Sequence, residues 1–189
     1  MDAGGQASVA RYTTTAVLLH WIVAALILTG AALGLSMVGL PLSPRKLQWY
    51  AYHKWIGVTV FMLTAVRLVW RFAHSVPPMP DAMPAWQRHV ANATHLLLYI
   101  LMLVSPIIGW LHSSATGVPV VYFGVMQMPD LVDKNKELGE LLRILHRNFN
   151  YFLLLLIGLH AAAALKHHYS DRDDVLARML PFLKARSRI

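Results

Sequence analysis

Residues 144–169 read Ile-Leu-His146-Arg147-Asn-Phe-Asn-Tyr-Phe-Leu-Leu-Leu-Leu-Ile-Gly158-Leu-His160-Ala-Ala-Ala-Ala-Leu-Lys166-His167-His168-Tyr169. Most of this stretch is apolar enough to lie in a bilayer, yet it carries one histidine near each end. Fourteen residues at 100° each come within about 40° of whole turns, so His146 and His160 share one helical face. At 1.5 Å per residue they stand about 21 Å apart along the axis. Ionisable groups inside a membrane helix are rare and point to function. Two on one stripe predict two stacked sites.

The rest of the chain fits that setting. Of 189 residues, 57% are hydrophobic and only 14% charged, where a soluble domain carries about a quarter charged. The absence of cysteine excludes disulfides, thiolate haem ligation and iron–sulfur clusters. The net charge of +8 does not point to nucleic acid. Its basic residues cluster just outside apolar runs, where anionic lipid headgroups meet them.

The chain is expected to form a single membrane domain with spans at roughly 13–38, 47–72, 89–113 and 144–168, an all-α four-helix bundle. The first run is too long for a signal-peptide core and lacks a convincing cleavage site. Residues 1–12 form a polar tail, Pro41–Pro44 a short connection, and the proline-rich stretch 73–88 an extended linker. Residues 114–143 read as a longer polar loop with a short amphipathic helix around Leu131–Leu142. Residues 169–189 read as a basic tail ending in Lys184, Arg186 and Arg188. Four spans put both termini on one side. Nine Lys/Arg (Arg11, Arg71, Arg88 and six from Lys166 onward) flank that side, against five (Arg45, Lys46, Lys134, Lys136, Arg143) on the other. The positive-inside rule therefore predicts cytoplasmic termini.

This orientation sorts the histidines by depth. His20 and His95 lie about seven residues into spans that enter from the cytoplasm, and His160 returns to the same level. His53 and His146 fall in the opposite half. Each layer offers imidazoles on different helices, an arrangement that can hold a planar tetrapyrrole between two axial nitrogens. A lone intramembrane histidine often does no more than bond a neighbouring helix, but four at paired depths ask for more. Spacing leaves His160 free to pair with either His20 or His95.

The step of fourteen recurs. Arg67 follows His53 by fourteen and reaches the cytoplasmic layer, where a buried guanidinium needs an anion such as a haem propionate. Gly34 follows His20, and Gly109 follows His95, by the same step. Gly57 comes one turn after His53. All three are expected to leave room for a porphyrin on the bundle face, although glycine in membrane helices commonly serves close packing. His112 reads as interfacial, and His74 and His89 as linker or headgroup residues. His167 and His168 read as interfacial groups, with a quinone pocket near the inner cofactor as the other reading.

These residues resemble the prokaryotic cytochrome b561 family of four-helix, di-haem membrane cytochromes. The matching features are Leu18-Leu19-His20-Trp21, His53, Arg67-x3-Arg71, His95-Leu-Leu-Leu-Tyr99-Ile100 and Pro106-x2-Gly109. Most specific is the block from Gly158 to Tyr169, followed by Leu176-x2-Arg178-Met179-x-Pro181. Loop 114–143 and the Pro41–Pro44 connection match poorly. The resemblance implies two haem b groups, with His20 and His160 as iron ligands on the cytoplasmic side and His53 and His146 on the periplasmic side. It leaves His95 out of ligation. It also implies a bacterial inner-membrane oxidoreductase that carries electrons from a periplasmic donor to the quinone pool. One member type oxidises superoxide and reduces ubiquinone. Arg45, Lys46, Lys54, Lys134, Lys136, Arg143 and Arg147 on the outer side can steer such an anion, diluted by Asp130, Asp133, Glu137 and Glu140. The alternative reading is a haem-bearing anchor subunit that relays electrons from a dehydrogenase or hydrogenase partner. A histidine-based ion transporter is disfavoured because every Asp and Glu lies outside the expected spans.

Overall fold

The computed structural model describes residues 11–80, 82–180 and 182–183. The tail residues Lys184, Arg186 and Arg188, and Pro181 of the last matching motif, lie outside this set. Four long helices make up the body: α1 (Thr14–Val38), α2 (Pro44–Ala73), α3 (Ala85–Thr116) and α4 (Lys136–Lys166). Each is long and apolar enough to cross a membrane. Only 11–22% of the most apolar window of each helix is buried, so the apolar surplus faces outward, where only lipid satisfies it.

Helix ends follow local chemistry. The Thr13 hydroxyl caps α1 by accepting from Ala16 N at 3.2 Å, and Asn135 caps α4 by accepting from Leu138 N at 3.0 Å. Ser43 caps α2 ahead of Pro44, whose missing N–H is harmless in the first turn. Gly117, at φ 72°, closes α3 in the left-handed conformation. α2 therefore starts three residues before the expected span, and α4 starts eight before it. The amphipathic helix expected around 131–142 is not separate. Its polar turns from Lys136 onward are the start of α4, because the Asn135 cap lets the helix run unbroken into the apolar span.

The main helix packing runs α1 on α2, α2 on α3 and α3 on α4. Mid-bundle, Val23, Ile27, Val60, Leu98, Leu101, Met102, Leu153 and Leu156 form a core, and a smaller cluster of Ile108, Ala115 and Leu142 closes one end. Between α3 and α4 the chain forms a small antiparallel hairpin of β1 (Val121–Tyr122) and β2 (Met126–Gln127). The polar loop expected across 114–143 is thus polar only in its second half. After Lys166 the helix widens into a π-helical turn, His167–Asp171, ended by Arg172 at φ 53°.

Two histidine layers as the candidate functional site

The bundle brings the histidines together at two levels. On one level, His53 of α2 faces His146 of α4 with ring centroids 6.1 Å apart and planes at 89°. On the other, His20 of α1 faces His160 of α4 at 6.2 Å and 69°. His95 of α3 joins the second group, with its ring 5.3 Å from that of His160. The fourteen-residue step on α4 spans the two levels, and the apolar core lies between them.

In the His53–His146 layer both rings are held by the same device. The Nδ1–H of His53 donates to the Gly30 carbonyl at 2.8 Å, and that of His146 donates to the Ser105 carbonyl at 3.0 Å. A proton fixed on Nδ1 leaves each Nε2 with a free lone pair. One turn beyond each accepting carbonyl stands a glycine. A Cβ on Gly34 would lie 3.1 Å from Cε1 of His53, and one on Gly109 would lie 2.9 Å from Cε1 of His146. These two glycines make room for imidazoles, whereas the sequence suggests room for a porphyrin plane. A Cβ on Gly57 would meet no protein atom within 4 Å. Asn150 tightens the layer, donating to Ser105 Oγ at 2.8 Å and to the His146 carbonyl at 2.7 Å. Sequence reasoning passed over Asn150, although its place one turn after His146 puts it on the same face.

The other layer is more open. A cavity of about 800 Å³ is lined there by His20, Trp21, Arg67, His95, His160 and His167. Among the described residues, no hydrogen-bond partner reaches the buried His20 Nδ1. Arg67 lies at this level as its spacing predicts, with its guanidinium 5.5 Å from the centre of the Tyr99 ring. No ion pair to it appears among the described residues. His167, expected at the interface, lines the cavity and donates from Nδ1 to Asp173 at 2.6 Å. At the opposite end, His112 donates from Nδ1 to the Gly139 carbonyl at 2.9 Å and borders a cleft with Lys134, Lys136 and Arg143.

Four lipid-facing helices enclosing two stacked layers of imidazoles define a class: membrane bundles that hold redox cofactors on histidine. The family profile described as prokaryotic cytochrome b561 matches residues 11–182. The chain is 33% identical over 177 residues to "Cytochrome b561 homolog 2" of Escherichia coli K12, covering 90% of this chain and 91% of that protein. It is 33% identical over 175 residues to "Cytochrome b561 homolog 1" of the same organism, covering 90% and 97%. To the "Probable superoxide oxidase CybB" of Yersinia pestis it is 31% identical over 176 residues, covering 90% and 96%. The chain belongs to the prokaryotic cytochrome b561 family. It is a multi-pass bacterial membrane protein, a b-type cytochrome that binds haem and carries electrons.

Proposed function

We propose that this chain, as one membrane domain, holds two haem b groups and passes electrons from superoxide on the periplasmic side to ubiquinone. His53 and His146 ligate the outer iron, and His20 and His160 the inner one. The observation that carries the assignment is distance. Two imidazoles that face each other across one metal ion through bonds of about 2.0–2.1 Å hold their ring centroids about 6.3 Å apart. The two pairs stand at 6.1 and 6.2 Å, while His95–His160 at 5.3 Å is too close for two rings that face each other across an ion. The same distances favour His20 over His95 as the partner of His160.

The donor set suits haem. Neutral imidazoles suit iron, and the Nδ1–H bonds to Gly30 and Ser105 orient the outer pair and make its Nε2 atoms more basic. Haem, when bound, supplies one-electron exchange. Arg67 places a half-buried cation in the inner layer, where it balances a propionate. The apolar core between the layers keeps water out of the bundle centre.

Direction rests on charge. The positive-inside count puts both termini, and with them the His20–His160 layer, on the cytoplasmic side. The outer end then presents Lys54, Lys134, Lys136, Arg143 and Arg147, which concentrate a small anion near the outer layer. The name of the Yersinia pestis relative supports superoxide as the donor. The cavity at the inner layer supports a quinone as the acceptor.

A reduced-minus-oxidised spectrum with pyridine-haemochrome quantification tests the proposal. Two haems per chain are expected. His146→Ala should lose the outer one and His160→Ala the inner one, and full haem content in either variant would refute that ligand assignment.

A further inference from the structure

Twelve consecutive residues, Val118-Pro-Val-Val-Tyr-Phe123-Gly-Val125-Met126-Gln-Met-Pro129, carry no charge, although Asp130, Asp133 and Lys134 follow at once. They form the β1–β2 hairpin, whose tip is apolar and open. Phe123 is 58% exposed, Val125 87% and Met126 53%. The turn puts Phe123 at φ 49° and Gly124 at φ 74°. A bulky side chain is unfavourable at positive φ, and Asn or Asp is the usual choice there. An aromatic ring is thus displayed at a position whose backbone would prefer a polar residue.

The docking of the hairpin fixes its depth. Trp55 Nε1 donates to the Val121 carbonyl at 2.6 Å, and the Tyr122 hydroxyl meets Thr59 Oγ1 at 2.9 Å. Lys54 Nζ donates to the Val118 and Pro119 carbonyls, each at 3.1 Å. The polar first part of α2 ends at Lys54, and its most apolar stretch, Ile56–Ala73, is about 27 Å long, close to the thickness of about 30 Å of hydrocarbon, so Trp55 sits at the outer boundary with Thr59 one turn inside it. The hairpin lies against that flank, next to the outer histidine layer. It is a two-stranded sheet, so both strands are edges, which the hydrocarbon core forbids and the interfacial zone tolerates. Trp55, Tyr122 and Phe123 form one aromatic group, with Phe123 5.2 Å from Trp55 and 4.5 Å from Tyr122. Such groups are enriched at headgroup level. Through Trp55 the aromatic group runs on to Tyr52, an exposed side chain of α2 whose ring lies 5.3 Å from that of Trp55, so the tip joins the outward face of the helix.

We propose that the Val118–Met128 hairpin is an interfacial membrane anchor, its Phe123–Met126 tip inserted into the leaflet beside α2 on the side of the His53–His146 layer. The occupant of this apolar surface is lipid. Because the hairpin is bonded to Lys54, Trp55 and Thr59, lipid insertion steadies the stretch of α2 that carries His53.

The chain has no cysteine, so a single introduced thiol reports one site. Val125→Cys carrying an environment-sensitive fluorophore is compared with Asp133→Cys, an exposed position in the neighbouring loop, in phosphatidylcholine–phosphatidylglycerol vesicles. The label at 125 is expected to shift to the blue, to be quenched by lipids with a nitroxide near the headgroup, and to show several-fold weaker quenching by aqueous iodide than the label at 133. Equal iodide quenching at both sites, with no lipid quenching at 125, would overturn the proposal. That result is also the one expected if the tip docks a water-soluble protein. A second test places the label at Met126→Cys and adds Phe123→Asn with Val125→Asp, which keep a turn-compatible residue at the positive φ. Iodide quenching should rise to the level at 133 while the helical circular dichroism is unchanged, and an unmoved label would also overturn it. Neither readout depends on haem, so the anchor and the ligand assignment fail separately.

Discussion

Replacing Gly109 by alanine adds one methyl group where the structure has least room. The new Cβ would lie 2.9 Å from Cε1, 3.2 Å from Nδ1 and 3.5 Å from Nε2 of His146. The ring must retreat by several tenths of an ångström, yet it is tethered through Nδ1 to the Ser105 carbonyl at 3.0 Å on the same helix as Gly109. Overpacking of this kind costs about 1–3 kcal/mol. Charged against a ring positioned as an iron ligand, that is roughly a 5- to 150-fold weaker hold on the outer haem, at about 1.4 kcal/mol per tenfold. Helix propensity opposes this outcome, since Gly→Ala inside a helix is favourable by about 1 kcal/mol. The assay is haem stoichiometry together with the rate of haem transfer to an apo-globin acceptor. The control is Gly158→Ala on exposed α4 surface, where a Cβ meets nothing within 4 Å. Gly109→Ala should lose the outer haem faster and keep the inner one, while Gly158→Ala should match the unmodified chain. Equal loss rates in both variants would show that the clearance at Gly109 plays no part in the site.

Gly57→Ala adds a Cβ that meets no protein atom within 4 Å, so its thermal unfolding without haem should not fall below that of the parent while haem content falls. Unchanged haem content would remove Gly57 from the site. Arg67→Met removes a cation from the inner layer and disfavours the added electron, so the inner haem's midpoint potential should fall by tens of millivolts in a redox titration. An unmoved potential would mean that the guanidinium is screened from the cofactor. Superoxide mixed with the oxidised protein in a stopped-flow should reduce haem, with a rate that drops several-fold between low salt and physiological ionic strength. Lys134→Gln with Lys136→Gln should flatten that salt dependence. Absence of reduction would favour the anchor-subunit reading, in which a partner protein supplies the electrons.

Much of the site was legible because a helix keeps strict time. The fourteen-residue steps from His146 to His160 and from His53 to Arg67 fix shared faces without any knowledge of neighbours. The apolar runs likewise mark four spans, since a bilayer demands about 20 apolar residues whatever they pack against. The hairpin was less legible. The charges at the end of loop 114–143 masked an uncharged first half, whose strands are only two residues long.

Sequence alone determined the four membrane helices, the two histidine levels and the family, because hydrophobicity and periodicity are properties of one segment at a time. How closely the rings approach across the bundle is set only by tertiary structure: His160 lies 6.2 Å from His20 and 5.3 Å from His95. So is the work of Gly34 and Gly109, whose missing side chains admit imidazoles from neighbouring helices. Contacts between helices depend on rotation and register, and a shift of one residue turns a helix by 100°. No pattern within a single segment records that angle.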